Sequence, residues 1–172
     1  MYFARLALFI NLAVARTRPT IQHLKQVVTT TQKIWVRWMS YEQHTHTYIH
    51  KCIYDEFRPY NYSYLLLHHY EVGGTWQNRR YFASLMNGGR RHDVPIMRVS
   101  ARQGGVGVDH ALKFWDRYNH CAVFVLVHHG KPECEIYVWE DHIAFNVTRC
   151  EDVYKQYCPR WHYAPFSRHC RP

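Results

Sequence analysis

The hydrophobic pattern of the chain consists of short runs. From Ile34 onward, aromatic and β-branched residues cluster in stretches that polar or glycine-containing segments separate, at the spacing expected of a strand meander. We predict strands over residues 34–41, 48–57, 62–72, 76–86, 95–101, 110–118, 120–129 and 134–139. Pairs such as Gly73-Gly74 and Gly104-Gly105 mark turns between them. Eight sequential strands suit a small closed antiparallel barrel whose interior holds one small ligand.

The pattern becomes helical after the last strand. Thr148 and Glu151 have the spacing of a capping box, and four side chains recur on one helical face. These four are Cys150, Val153, Tyr154 and Tyr157. We predict a helix over about 149–158 that packs on the barrel wall and ends before Pro159. A shorter segment, 20–28, is expected to form a helix that plugs one end of the barrel.

The first fifteen residues have the pattern of a secretory signal peptide. Arg5 supplies the positive charge, residues 6–12 an apolar stretch, and Ala13-Val14-Ala15 a small-residue cleavage site. No later run is long and apolar enough for a transmembrane helix. We therefore expect one secreted domain over residues 16–172.

The predicted secretion bears on the role of the six cysteines. An even number of cysteines in an oxidising compartment usually forms disulfides, although six allow fifteen connectivities. The alternative, a zinc site, lacks any Cys-x-x-Cys pair. The sequons at Asn61 and Asn146 predict glycosylation and fit the same secretory route.

The chain is basic. With 22 Lys and Arg against 13 Asp and Glu, its formal net charge is +9, and loss of Arg5 with the signal segment leaves +8. For an exported protein this charge favours acidic surfaces, glycosaminoglycans or anionic lipid over nucleic acid. Because the basic residues are scattered, an ordinary solvated surface is the simpler interpretation.

Signatures of catalysis are absent from the sequence, which contains no nucleophile elbow, phosphate loop, dinucleotide fingerprint or HExxH. We predict neither enzymatic activity nor a cofactor. Fourteen histidines raise the question of a metal site. The neighbours His68-His69 and His128-His129 are expected on opposite strand faces, where they cannot chelate together. His44, His46 and His50 share one face, but an exposed histidine-rich junction is the commoner case, so no metal is predicted.

Residues 119–158 carry a family resemblance. In this stretch Cys121-Ala122-Val123 is followed after eleven residues by Glu135-Ile136-Tyr137, and after twelve more by Cys150. This spacing fits the frame of the tick salivary histamine-binding lipocalins. The segments IWVRWMSYEQ and YIHKCIYDEF resemble the first two strands of that family. The resemblance covers roughly residues 30–170. It implies a monomeric, all-β lipocalin-type barrel of eight antiparallel strands with a C-terminal α-helix on its wall.

The resemblance also implies a disulfide pairing. It joins Cys121 to Cys150 and Cys52 to Cys170, which leaves Cys134 for Cys158. Each bridge is expected to stabilise the fold by roughly 3–5 kcal/mol through the unfolded state.

With Cys121 and Cys134 facing outward, strand alternation places a carboxylate and aromatic rings in the lumen. The predicted ligand-contacting residues are Glu135, Tyr137, Trp139, Phe124 and Trp38. Such a lining suits a protonated amine with an aromatic ring, unless Glu135 pairs with an internal base.

Ala122 departs from the family pattern, because amine-binding relatives carry an acid at that position. At most one amine site of the family's chemistry is therefore expected. The resemblance implies sequestration of a small host mediator, histamine or another biogenic amine first, which would suppress inflammatory or haemostatic defence. The alternatives are an anionic lipid mediator, such as a leukotriene or fatty acid, and a filled barrel whose outer surface blocks a host protein.

Overall fold

A computed structural model describes residues 18–88 and 94–170, and the predicted signal segment lies outside this part of the chain. The elements in chain order are α1 (Ile21–Val28), β1 (Ile34–Met39), β2 (His44–Thr45), β3 (Tyr48–Ile49), β4 (Lys51–Tyr60), β5 (Ser63–Val72), β6 (Thr75–Met86), β7 (Ile96–Ser100), β8 (Gly107–Asp116), β9 (Cys121–His128), β10 (Lys131–Trp139), α2 (Thr148–Tyr157) and a 3₁₀ turn (Arg168–Cys170).

Eight antiparallel strands close into a barrel in the order β1-β10-β9-β8-β7-β6-β5-β4, and β1 also pairs with β4. The predicted all-β barrel is confirmed. The predicted strand 48–57 is divided, because residues 44–49 form a separate small hairpin of β2 and β3 before β4 begins. The last strand begins at Lys131, three residues earlier than predicted, because its ladder with β9 continues to a tight turn at Gly130.

The helix α1 closes one end of the barrel, as the sequence predicts. Thr20 caps it, since its hydroxyl accepts the His23 amide at 3.3 Å and its own amide donates to His23 Nδ1 at 3.2 Å. Leu24, Val27 and Val28 are fully buried and join the apolar cluster of the barrel interior. We call this the closed end.

The helix α2 packs on β8, β9 and β10 and buries Cys150, Val153 and Tyr154. Two details of the prediction are wrong. The capping box does not form, because Thr148 is the first helical residue and Glu151 instead bonds Arg37 at 2.9–3.0 Å. Tyr157 is exposed, with its ring 5.6 Å from the Lys113 amine.

Three disulfides attach the helix and the tail to the barrel: Cys121–Cys150, Cys134–Cys158 and Cys52–Cys170. This is the pairing that the resemblance implies. The six sulfurs lie along a second apolar layer, outside the barrel wall, that includes Trp35, Val123 and Ile136. The interior of the barrel is therefore left to other residues.

Candidate functional site

A cavity of about 690 Å³ occupies the end of the barrel opposite α1, which we call the open end. Its walls come from strands β4 to β10 and from the segment that follows β1. The polar side chains that line it are Glu42, Asp55, Glu135, Gln43, Ser100, Tyr41, Tyr70, Tyr81, Tyr137, His44, His50, His68, His110, His128, His129 and Arg79. Its size is that of a small-molecule site.

Glu135 lies in the wall of this cavity with 3% of its surface exposed. Its Oε1 accepts a hydrogen bond from the Tyr41 hydroxyl. Burial, and then the charge of Glu135, raise the pKa of Tyr41 well above its usual value near 10, so the phenol stays a donor. Within the described chain, Oε2 has no hydrogen-bond partner, and His110 Nε2 lies 3.7 Å away. Half of a buried carboxylate is left unsatisfied.

Asp55 is a second buried carboxylate in the cavity, but it has its own hydrogen-bond partners within the protein. Its Oδ1 lies 2.7 Å from His68 Nδ1. Burial lowers the pKa of His68, but the charge and hydrogen bond of Asp55 outweigh burial and raise it overall. The Tyr137 hydroxyl also bonds Asp55, and burial followed by the charges of Glu135 and Asp55 raises the pKa of that phenol. Asp55 is therefore bonded to two side chains of the protein, His68 and Tyr137.

Flat rings form much of the remaining surface. His50 stacks on Tyr70 with ring centroids 3.9 Å apart, and His128 stacks on Tyr41 at 4.4 Å. Burial, followed by repulsion from nearby cationic groups, lowers the pKa of His50 to about 4, so its ring is neutral at physiological pH. The Arg79 guanidinium lies 5.8 Å from the Tyr70 ring. The cavity thus offers aromatic faces beside one carboxylate oxygen that has no hydrogen-bond partner.

The structure brings only part of the predicted ligand-contacting set to the cavity. Glu135 and Tyr137 line it. Phe124 lies beneath the floor with its ring 5.1 Å from Tyr137. Trp139 belongs to the closed end, where it lies 5.3 Å from Trp115.

Trp38 is placed wrongly by the sequence prediction. It lies outside the barrel, stacked on His162 at 4.0 Å and edge-on to Tyr154 at 5.7 Å. The cause is a β-bulge between Val36 and Trp38, which inserts one residue and reverses the alternation of β1. Trp35 also packs outside the wall, so neither tryptophan fills the lumen.

One of the two neighbouring histidine pairs has the predicted orientation and the other does not. His68 lines the cavity whereas His69 stacks outside on Tyr54, as predicted. His128 and His129 both line the cavity, contrary to prediction, because His129 lies past the strand end with a φ of 48°.

The three histidines of the β1–β4 connection do not converge on one point. His44 bonds Glu42, and His50 bonds Thr45. His46 occupies the hairpin turn between β2 and β3, with a φ of 54°.

Sequence reasoning missed Asp55, although a signal for it existed. Placing Cys52 outward, for its disulfide, puts Ile53, Asp55 and Phe57 on the inner face of β4. Tyr41 gave no such signal, because it lies in the irregular segment after β1. Its contact with Glu135 depends on tertiary structure.

A closed eight-stranded barrel with a ligand-sized lumen and a C-terminal helix on its wall defines a lipocalin-type binding protein. A sequence model described as tick histamine binding protein matches residues 15–172, and the chain therefore belongs to this family. Family and fold are those of ligand-binding lipocalins. A search of curated proteins found no match.

One solved structure supports the fold. The chain is similar to Japanin from Rhipicephalus appendiculatus, solved bound to cholesterol, at 14% identity and a TM-score of 0.57, over 83% of this chain and 97% of that one. It also matches lobster apocrustacyanin A1 at 9% identity and a TM-score of 0.49, over 88% and 89% of the two chains. Within the described residues, neither α-helix has the length and apolar character needed to cross a bilayer.

Proposed function

We propose that this protein is a secreted binder that sequesters a small host mediator in its open end, with histamine or another biogenic amine as the first candidate. One observation carries the proposal: Oε2 of Glu135 is buried in the cavity wall without a hydrogen-bond partner. A ligand ammonium supplies both the missing donor and the countercharge. Charge-assisted bonds of this kind are worth roughly twice a neutral one.

The surroundings of Glu135 support an aromatic amine. Asp55 bonds His68 and Glu42 bonds His44, so Glu135 is the cavity carboxylate that keeps an oxygen without a hydrogen-bond partner. The rings of Tyr137 and Tyr41 lie beside it and offer faces that attract cations and stack on a ligand ring. His110 Nε2, at 3.7 Å, is beyond hydrogen-bond distance and leaves Oε2 unsatisfied.

A second candidate, an anionic lipid mediator, is supported by the size of the cavity and by Arg79 in its lining. A volume of about 690 Å³ exceeds the need of a single monocyclic amine. In this arrangement Arg79 binds the lipid carboxylate and the aromatic rings cover the chain. The open lumen argues against a filled barrel that acts only through its outer surface.

Titration calorimetry with histamine, serotonin and arachidonate separates the two ligand classes. Glu135→Gln keeps the shape of the side chain and removes its charge. We expect it to remove about 1.5–3 kcal/mol of amine binding, a ten- to hundred-fold loss, and to leave arachidonate unaffected. Arg79→Gln is expected to give the reverse pattern if the lipid is the ligand.

The matched control is Glu56→Gln, because this carboxylate lies outside the cavity lining and pairs with Arg58 at 3.4 Å. It is expected to bind every ligand as the wild type does. The amine proposal fails if the wild type binds neither amine below millimolar concentration and takes up the fatty acid.

A further inference from the structure

A cluster of metal-ligating side chains lies outside the cavity, at the closed end. His120 ends the turn between β8 and β9, and Asp141 and His142 follow β10. His120 Nδ1 lies 3.0 Å from Asp141 Oδ1 and 2.9 Å from Oδ2, and His142 Nδ1 lies 2.9 Å from Oδ1. In the described part of the chain, this is the one group of three such residues whose ligand atoms all lie within 4.8 Å.

Neighbouring groups hold these side chains in place. Gln32, in the connection between α1 and β1, donates to Asp141 Oδ2 at 3.1 Å and accepts the Asp141 amide at 3.0 Å. The His120 ring packs 4.3 Å from Trp139 and 4.4 Å from His142. Metal sites in proteins use such outer contacts to orient their ligands.

We propose that His120, Asp141 and His142 bind a divalent transition metal ion, with two imidazole nitrogens and one carboxylate oxygen as ligands. Zn²⁺, Cu²⁺ and Ni²⁺ all suit imidazole. Three protein ligands leave a coordination position open to water. This site is separate from the proposed ligand cavity, so either can fail without the other.

The protonation of the cluster fits this chemistry. The Nδ1 atoms of both histidine rings face the Asp141 carboxylate. A metal ion bound there takes the place of the protons between the rings and the carboxylate, and each ring then carries its proton on Nε2.

The distances and the exposure also fit. Zinc–ligand bonds of about 2.0–2.2 Å place tetrahedral ligands roughly 3.3 Å apart. The two nitrogen–oxygen separations are 2.9–3.0 Å, and all three ligand atoms lie within 4.8 Å of one another. The side chains of His120, Asp141 and His142 are 26%, 40% and 28% exposed. An ion can reach them from solvent without entering the lumen.

Zinc titration by calorimetry tests the site in the full mature chain. We expect the wild type to bind one Zn²⁺ at this site, and His142→Ala and Asp141→Asn each to lose at least about tenfold in affinity. The matched control is His169→Ala, an exposed histidine in the 3₁₀ turn and outside this cluster. A double variant, His128→Ala with His129→Ala, reports zinc binding in the histidine-rich cavity.

Two further measurements distinguish the loss of a zinc ligand from a loss of folding in the variants. ¹⁵N spectra of histidine side chains in the wild type should show coordination through the Nδ1 atoms of two rings, and both signals should disappear in Asp141→Asn. Zn²⁺ should raise the unfolding temperature of the wild type and of His169→Ala but not of His142→Ala. Equal zinc affinity in the wild type and His142→Ala, or a loss confined to the cavity double variant, would overturn the proposal.

Discussion

The two ends of the barrel differ although the same strands build both. Along β8 the inward residue changes from Leu112 at the closed end to His110 at the open end. The closed end is apolar and sealed by α1, whereas the open end combines carboxylates, imidazoles and phenols around a cavity. One half of the lumen thus serves stability and the other serves binding.

The difference has an energetic consequence. Burial of apolar side chains such as Leu24 stabilises the fold directly, by roughly 1.5–3 kcal/mol each. Burial of polar groups without partners destabilises it, and in the described residues the open end contains two such atoms, Oε2 of Glu135 and Nδ1 of His50, against Nε1 of Trp139 at the closed end. Violations of this kind concentrate at functional sites.

The largest expected effect concerns the disulfides that brace each end. Cys52–Cys170 joins β4, beside the open end, to the tail and spans 118 residues, whereas Cys121–Cys150 braces the closed end and spans 29. Loop-closure entropy predicts a loss of about 4–5 kcal/mol for Cys52→Ala with Cys170→Ala and about 3–4 kcal/mol for Cys121→Ala with Cys150→Ala. Guanidinium denaturation followed by circular dichroism measures both. A larger loss at the closed end would contradict this ranking.

The second prediction applies one substitution to each end. Leu24→Ala, in the sealed apolar core, should cost about 3–5 kcal/mol, because it opens a new void. Leu66→Ala should cost less, about 2–3 kcal/mol, since Leu66 already borders the cavity and has fewer contacts to lose. Urea denaturation gives the two free energies.

Ligand binding by the same two variants supplies a second comparison. Leu66→Ala is expected to change ligand affinity, and Leu24→Ala is not. Equal costs in stability for the two substitutions would mean that the two ends are packed alike.

Sequence patterns determined most of the architecture. The eight strands, both helices and the closing order follow from local periodicity and turn residues, which are encoded within each segment. The resemblance supplied the disulfides. The inward phase of Glu135 and Tyr137 followed from the outward phase of Cys134.

The failures have a common physical origin. The bulge that turns Trp38 outward, the exposed Tyr157 and the contact between Tyr41 and Glu135 all depend on how distant segments meet. The periodic pattern of hydrophobic residues within a segment does not show how that segment contacts distant ones. The lining of the cavity was therefore less predictable than the barrel around it.

The smallest expected effect is a pH dependence specific to the open end. The pKa of His50 is about 4 in the fold and about 6.5 in the unfolded chain. Between these values the unfolded chain binds more protons, so this group's contribution is complete above pH 6.5 and is lost as pH falls toward 4. His68 acts in the opposite direction, since its raised pKa stabilises the fold below pH 6.5 and that contribution is lost as pH rises through its folded value.

His50→Phe isolates the first of these contributions. The phenyl ring keeps the stack on Tyr70 and cannot titrate, although it loses the bond to Thr45. We expect the fall in unfolding temperature between pH 6.5 and 4.5 to shrink by about 2–5 °C relative to the wild type. Differential scanning calorimetry measures it, with His169→Phe as the exposed control that should keep the wild-type slope. If His50→Phe and the wild type lose stability in parallel, the acid sensitivity of the open end lies in another group.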